Sequence, residues 1–479
     1  MRLPAWIDTP RPLRAPGAIL LISCYELGHQ PLSIASPAAL LRRAGYAPEA
    51  IDLAVDRLRP EAVAAARLVA VAVPMHTALR LGSRVADRIR AINPACHLCY
   101  YGLYASLNAA TLLERGADSI VGGEYEEPLL RLAGRLDRGG TGPIPGVRVR
   151  GADEPPWIRR IRFEVPYRGL LRPLDRYARL EQDGATRIAG HLEASRGCLH
   201  GCRHCPIPPV YGGRLFVVPR EVVLADARGQ VAAGATHITI GDPDFLNGPG
   251  HSMAILRRLH DEFPRLTFDF TAKVAHLLRY RGLLPEMARL GCLFVVSAVE
   301  SLSDRVLAIL DKGHTRADVE LALALTRDAG LALRPSLVPF TPWTTLEDHR
   351  DLLDFVERRD LIDHLDPVQL SIRLLLPPGS LLNDRPEVRP FLGPLDAGRH
   401  TFLWTHPDAR VDRLQEDVAA IVERAARARE DPRLTFLRIR SATARAGGES
   451  PAPSPDALLH PPPRRDRGRP PRLSEPWFC

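Results

Sequence analysis

Cys198, Cys202 and Cys205 stand in the run Glu193-Ala-Ser-Arg-Gly-Cys198-Leu-His-Gly-Cys202-Arg-His-Cys205, three of the eight cysteines of a 479-residue chain. Thiols at a Cys-x3-Cys-x2-Cys spacing are metal ligands. Three thiolates on one loop hold three irons of a 4Fe-4S cube, whereas the usual four-cysteine set fills every iron and leaves none open to a further ligand. Zinc is the alternative; it needs a fourth donor and is commonly held by two separated pairs, and His200 and His204 are the donors at hand. A disulfide set fits poorly, because three is odd and nothing marks secretion. Residues 1–17 form a Pro- and Arg-rich leader without the apolar run of a signal peptide. The apolar stretch 18–23 has strand length and is far too short to cross a bilayer.

These cysteines need elements to position them. From residue 18 short apolar runs alternate with helical segments: strands at 18–23, 50–53, 68–73, 97–101 and 119–121, helices at 37–44 and 81–92. Such alternation implies a parallel sheet covered on both faces, a Rossmann-like domain over 18–140. Cys96 and Cys99, three apart on a strand, point to opposite faces and read as buried thiols rather than a redox pair. Residues 141–190, rich in Gly, Pro and Arg, read as a linker. From residue 191 six strand-like runs recur with helices between them, at 191–194, 237–240, 266–271, 293–298, 332–338 and 368–376. In parallel barrels the chemistry collects at the C-terminal ends of strands. That rule selects Gly241, Asp242 and Asp244 after the second run, Lys273 after the third, Ser297, Glu300 and Ser301 on the fourth, and Arg334 and Ser336 on the fifth. On the sixth, Gln369, Ser371 and Arg373 alternate with apolar residues and so share one face. An arginine inside a barrel is costly unless paired, which favours a ligand carboxylate or a protein acid beside Arg373.

Hydrophobic residues at 45% and charged residues at 25% are those of a soluble globular protein. The net charge of +8 comes almost wholly from arginine, with lysine only at 273 and 312. No basic stripe is interleaved with aromatics, so neither nucleic acid nor membrane is the expected partner. A cytoplasmic enzyme is expected.

The cysteine loop, entered through Ser195-Arg196-Gly197 after a short strand, resembles that of the radical S-adenosylmethionine (radical SAM) superfamily. The resemblance implies a partial (β/α)6 barrel over 191–380. It also implies an open iron that chelates the methionine moiety of SAM, and an electron passed through the cube that cleaves SAM to methionine and a 5′-deoxyadenosyl radical. Gly241-Asp242-Pro-Asp244 matches the family's glycine and acid motif for the SAM ammonium, although a polar turn ending a strand reads the same way. Lys273 is placed to meet SAM's carboxylate, Glu300-Ser301 to approach its amino group and ribose, and His204 to pack near adenine. The Asp311-Lys-Gly-His turn resembles one in relatives, and a helix C-cap explains Gly313 equally. Pro339-Phe-Thr-Pro-Trp-Thr344 departs from the glycine-containing turn of relatives, which bears on Arg334 and Ser336.

The N-terminal strand order and the turn Gly122-Gly-Glu-Tyr-Glu-Glu-Pro128 look like the cobalamin-binding domain that precedes many such barrels. Families that ligate cobalt from below carry Asp-x-His-x-x-Gly after the first strand. Here that place reads Ser23-Cys-Tyr-Glu-Leu-Gly-His29-Gln, and His29 and His76 are the remaining candidates, each read more simply as a solvated or hydrogen-bonding loop histidine. Cobalamin-dependent methyl transfer is therefore the alternative reaction. A methylthiotransferase is disfavoured by the lack of a second cysteine triplet, and a non-catalytic cluster carrier would leave the barrel unexplained.

Residues 381–441 read as a helical appendage with one amphipathic helix at 413–427. Residues 442–479, in which 451–479 hold nine prolines and five arginines, read as a disordered tail. The tail ends Ser474-Glu-Pro-Trp-Phe-Cys479. With Gly241-Asp-Pro-Asp-Phe, Thr341-Pro-Trp and Val368-Gln-Leu-Ser-Ile-Arg-Leu-Leu375, that ending resembles the CUAEP/CCAEP-tail radical SAM (seleno)proteins. The motif breaks off after its first cysteine, as a UGA selenocysteine codon read as a stop would leave it; a terminus with one exposed thiol is the other reading. Cys479 is then a candidate redox residue. The expected partners are a small-molecule or peptide substrate and a reducing protein such as a flavodoxin or ferredoxin.

Overall fold

A computed structural model describes residues 12–449 and 469–475. The N-terminal unit is a six-stranded sheet in the order β2-β1-β3-β4-β5-β6. Its strands are β1 (Ile19–Ser23), β2 (Glu49–Asp52), β3 (Leu68–Ala72), β4 (His97–Tyr101), β5 (Ser119–Val121) and β6 (Val147–Arg148). The first five are parallel and β6 is antiparallel. Near-continuous apolar strands are what a sheet covered on both faces requires. Leu20, Ile22, Val69, Val71 and Leu98 pack on one face, and Ile19, Leu21, Ala70, Ala72 and Cys99 on the other. Helices α1 (Leu32–Arg43), α2 (His76–Ile92) and α3 (Glu126–Arg138) are among those that cover it. Cys96 and Cys99 are both buried, without a disulfide.

The linker is partly structured. It runs into β7 (Arg179–Gln182) and β8 (Ala185–Leu192), an antiparallel pair, so the barrel begins earlier than the expected residue 191. Arg168, within it, pairs with Asp226 at 2.7 Å and donates to Gln30 Oε1 at 2.9 Å and to the His191 carbonyl at 2.6 Å, tying the two domains together.

The barrel sheet carries five parallel strands: β8, then β11 (His237–Ile240), β12 (Thr267–Ala272), β13 (Cys292–Glu300) and β14 (Ala332–Leu337). Helices α4 (Arg220–Ala232), α5 (Pro249–Glu262), α6 (Val274–Arg279), α7 (Asp304–Leu310), α8 (Arg316–Asp328) and α9 (Leu346–Arg358) connect and cover them. The sixth expected strand is not one. Residues Pro367–Leu370 make a 3-10 turn, and only an isolated bridge, Phe340 to Arg373, continues the sheet. Gln369 uses its side chain where a strand would use backbone, accepting the Leu337 N–H at 2.9 Å. The polar alternation that suggested a strand reflects three separate partnerships.

The appendage adds a hairpin, β15 (Leu392–Asp396) with β16 (Thr401–Trp404), and two helices, α10 (Ala409–Ala428) and α11 (Pro432–Ala446). Asp408 and Asp431 cap these helices through the Arg410 and Arg433 N–H groups, both at 2.9 Å. The region expected to be unstructured from residue 442 therefore begins as helix. Its described end is also ordered: β17 (Arg472–Leu473) pairs antiparallel with β7, and Arg472 bridges Glu181 at 2.8 Å. Unpaired edge groups of β7 are satisfied by this return. Glu475 then accepts a hydrogen bond from the Tyr25 hydroxyl at 3.0 Å.

Candidate iron-sulfur and cofactor site

The cysteine loop leaves β8 through β9 (Ser195–Gly197), which pairs antiparallel with β10 (Leu215–Val217). Gly197 has φ +78°, and a Cβ there would stand 2.3 Å from the Arg214 carbonyl oxygen, so only glycine admits this pairing. Asp242, at the end of β11, anchors the same stretch: its carboxylate accepts the Ala194 N–H at 2.7 Å and the Ser195 hydroxyl at 2.5 Å. Burial pushes its pKa up to about 7 despite those hydrogen bonds. Gly241 beside it is needed because a Cβ would meet His191 Nε2 at 2.2 Å.

Cys198 and Cys202 are buried and Cys205 is half-buried, all unpaired. Asn247 donates to Cys198 Sγ at 3.5 Å, and the Lys273 ammonium lies 3.4 Å from Cys202 Sγ. Burial pushes the Cys205 thiol up to about 12 and that of Cys198 above its ordinary value. Thiols held this high ionise on binding a metal. This donor set, three convergent thiols with two polar donors on them and no disulfide, fits a three-cysteine iron-sulfur cluster.

Opposite the loop, Glu300 closes β13 where the register with β14 shifts. Its φ of +65° is a left-handed conformation that a non-glycine residue adopts at a cost of about 1–3 kcal/mol. Its carboxylate lies 3.1 Å from Lys312 Nζ and 3.3 Å from His204 Nε2. Burial would raise Glu300, but Lys312 and then His204 hold it down at about 2. The lysine is reciprocally raised: burial lowers it, and Glu300 followed by Cys202 outweighs that. Both lysines of the chain thus converge on the cysteine loop.

Asp244 is the third acid. Its Oδ1 accepts the Leu246 N–H at 3.0 Å and its Oδ2 the Lys273 N–H at 3.3 Å. The same Oδ2 lies 2.9 Å from His276 Nδ1 and 3.5 Å from His200 Nε2. Ser297 donates to the Ala272 carbonyl at 2.8 Å, and Ser301 accepts the Ser303 N–H at 3.1 Å.

Four further candidates have other surroundings. Arg334 pairs with Asp366 at 3.2 Å, while Ser336 is buried opposite Ala298 in the sheet register. Gln369 is spent on β14. Arg373 pairs with Asp412 at 2.7 Å, donates to the Trp404 carbonyl at 2.6 Å and stacks 3.5 Å over the Trp404 ring. The Pro339–Thr344 turn is internally satisfied, with Thr341 and Thr344 hydroxyls 2.8 Å apart. Cys479 lies outside the described residues.

Sequence reasoning assigned no role to Lys312, Asn247, His276 or the reach of Arg196. Arg196 is buried and clamped by Glu126 at 2.6 Å, Glu193 at 2.9 Å and Glu124 at 3.2 Å. Glu124 and Glu126 belong to the Gly122-Gly-Glu turn of the N-terminal domain, so this ion cluster joins the cysteine loop to that domain. The signal for Lys312 was its rarity.

The N-terminal histidines do not fit a lower cobalt ligand. His29 is not solvated: its ring stacks on His191 of β8 with centroids 4.4 Å apart and 9° between planes. His76 Nε2 is engaged 2.7 Å from the Arg399 carbonyl oxygen.

Residues 192–356 match the family model described as the Radical SAM superfamily. The ribosomal protein uS12 methylthiotransferase RimO of Geobacter sulfurreducens is 29% identical over 190 residues, 36% of this chain and 41% of that protein. The tRNA-2-methylthio-N(6)-dimethylallyladenosine synthase of Chlorobium luteolum is 28% identical over 194 residues, 38% and 43% of the two chains. The chain thus spans about two fifths of the length of these curated relatives. Among solved structures, the radical SAM methyltransferase TsrM from Kitasatospora setae, with tryptophan substrate and a SAM analog bound, aligns with TM-score 0.57 at 20% identity over 72% of this chain and 71% of that one. The cobalamin-dependent radical enzyme OxsB with aqua-cobalamin aligns with TM-score 0.66 at 15% identity over 88% and 72%. At such identities the likeness is one of fold. The matched segment, the three-cysteine loop within it and the parallel strands that carry it agree: through residues 192–356 this chain carries a domain of the radical SAM superfamily.

Proposed function

We propose that the protein is a radical SAM enzyme that activates a C–H bond of a small-molecule or peptide substrate. The observation that carries this reading is the convergence of three unpaired thiols with Lys273, Lys312, Asn247 and Glu300 at the C-terminal ends of the barrel strands. When bound, a 4Fe-4S cluster supplies the electron that cleaves SAM to a 5′-deoxyadenosyl radical. The chain's own contribution is placement, which accounts for much of the rate in such reactions. Of the three acids expected to receive SAM, Asp242 is committed to the loop and Asp244 faces two imidazoles. Glu300 is the acceptor for the SAM ammonium, with Ser301 beside it. Lys273 orients SAM's carboxylate, and His204, fixed by Glu300, lines the adenine side. The test is the electron paramagnetic resonance spectrum of the reconstituted, reduced protein: SAM should shift its cluster signal, and an unchanged signal at saturating SAM would refute the reading.

Cobalamin-dependent methyl transfer is the second reading, favoured by the fold shared with OxsB and TsrM. Among the described residues neither His29 nor His76 is placed as a lower ligand, and retention of cobalamin through gel filtration separates the two readings. A cytoplasmic location and a flavodoxin or ferredoxin as electron donor are part of the same proposal, while the finer assignment to the CUAEP/CCAEP-tail group rests on the sequence runs quoted above. Genomic sequence after the Cys479 codon tests it: UGA followed by Ala-Glu-Pro codons supports the assignment, and any other continuation rejects it.

A further inference from the structure

Two imidazoles and one carboxylate meet beside the cysteine loop, and the SAM chemistry proposed above uses none of the three. His200 lies on the loop between Cys198 and Cys202, Asp244 follows β11, and His276 is on α6. One ligand atom from each, His200 Nε2, Asp244 Oδ2 and His276 Nδ1, lies within 4.8 Å of both others. A divalent metal bound at about 2.0–2.2 Å by imidazole and carboxylate needs ligand atoms roughly 3–4 Å apart. The separations of 2.9 Å and 3.5 Å to the carboxylate fall in or beside that range.

Both imidazole nitrogens are buried at the atom and face the one carboxylate oxygen of Asp244. His276 is 7% and Asp244 1% exposed, so the group faces into the protein, and an ion there would displace any proton shared between imidazole and carboxylate. The third group differs: the His200 side chain is 23% exposed, although its Nε2 is buried at the atom. The site is also built rather than incidental. Asp244 Oδ1 is fixed by the Leu246 N–H, and the His276 ring is braced against His200 and Tyr280 with centroids 4.5 Å and 5.5 Å apart. The nearest lysine does not neutralise the carboxylate with its ammonium, because Lys273 Nζ turns to Cys202.

The geometry points to a mononuclear divalent-metal site formed by His200, Asp244 and His276, separate from the three cysteines. Two imidazoles and a carboxylate suit a borderline ion such as zinc or ferrous iron, with the remaining positions open. An ion there would pin the cysteine loop to β11 and α6 and fix the segment between Cys198 and Cys202.

The test uses the full chain with Cys198, Cys202 and Cys205 all changed to Ala, so that no thiol of the loop competes and the result is independent of the SAM reading. Zinc ion is the probe, followed by equilibrium dialysis with metal analysis and by the melting temperature. The expected result is about one zinc per chain and a melting temperature that rises with zinc. Adding His276→Gln or, on the more exposed side, His200→Gln should weaken binding at least ~10-fold and remove the rise. Zinc uptake that is absent in the triple variant, or unchanged by both glutamine substitutions in chains that still melt cooperatively, would overturn the site.

Discussion

Glu300 links the cysteine loop to the far end of the barrel sheet through His204 and Lys312. It was selectable from sequence because it ends a strand, but its strained backbone and its position between His204 and Lys312 appear only in three dimensions. Replacing it with Gln keeps the shape and removes the charge that receives an ammonium. We expect Glu300→Gln to raise the Kd for SAM at least ~10-fold, about 1.4 kcal/mol, while iron content stays unchanged. Equal Kd values by equilibrium dialysis would reduce Glu300 to a structural partner of Lys312. The cysteines and Lys273 were legible because spacing and rarity mark them. The partners of Arg334 and Arg373, Asp366 and Asp412, were not legible because they are tens of residues away and leave no local trace, although a protein acid beside Arg373 was one of the two expectations. Asp242 was read as a ligand group for the same reason: its two donors lie 47 and 48 residues earlier.

At the scale of elements, the cysteine loop depends on a turn in the other domain. Arg196 is paired with Glu124 and Glu126 of that turn while buried, and removing one partner of a buried ion cluster costs about 3–5 kcal/mol. Arg196→Ala should therefore lower unfolding free energy by about that much and reduce iron retained after reconstitution, with Arg196→Lys recovering part of both. Full iron retention in the alanine variant would show that the turn does not hold the loop. The parallel strands were readable to within a few residues because burial on both faces writes them as apolar runs. The false sixth strand came from the same rule applied to 368–376, where alternation arises from side chains with unrelated partners. The strand pairing of Arg472–Leu473 was unreadable, since a two-residue edge strand has no periodicity.

At the scale of the whole molecule, the two domains meet through neutral aromatic and ionic contacts that respond differently to acid. Burial pulls the His29 pKa down to about 4, and that of His191 well below its usual value. As pH falls, the unfolded chain protonates His29 near 6.5 while the folded chain resists until about 4, and His191 shifts in the same direction. The stability of the stack is thus full above the unfolded pKa and is lost on acidification through that window, by up to ~3 kcal/mol for His29. His29→Phe, which preserves stacking, should flatten the fall in melting temperature between about pH 7 and about pH 5. A slope equal to wild type would mean the interface histidines already carry protons when folded.

The central claim is that Cys198, Cys202 and Cys205 hold a cluster that cleaves SAM. Its most direct measurement is 5′-deoxyadenosine formed from SAM by the anaerobically reconstituted protein under a strong reductant. Formation is expected from the wild-type chain and none when any one of the three cysteines is changed to Ala. 5′-Deoxyadenosine from the triple variant, or none from a cluster-replete wild-type chain, would contradict it.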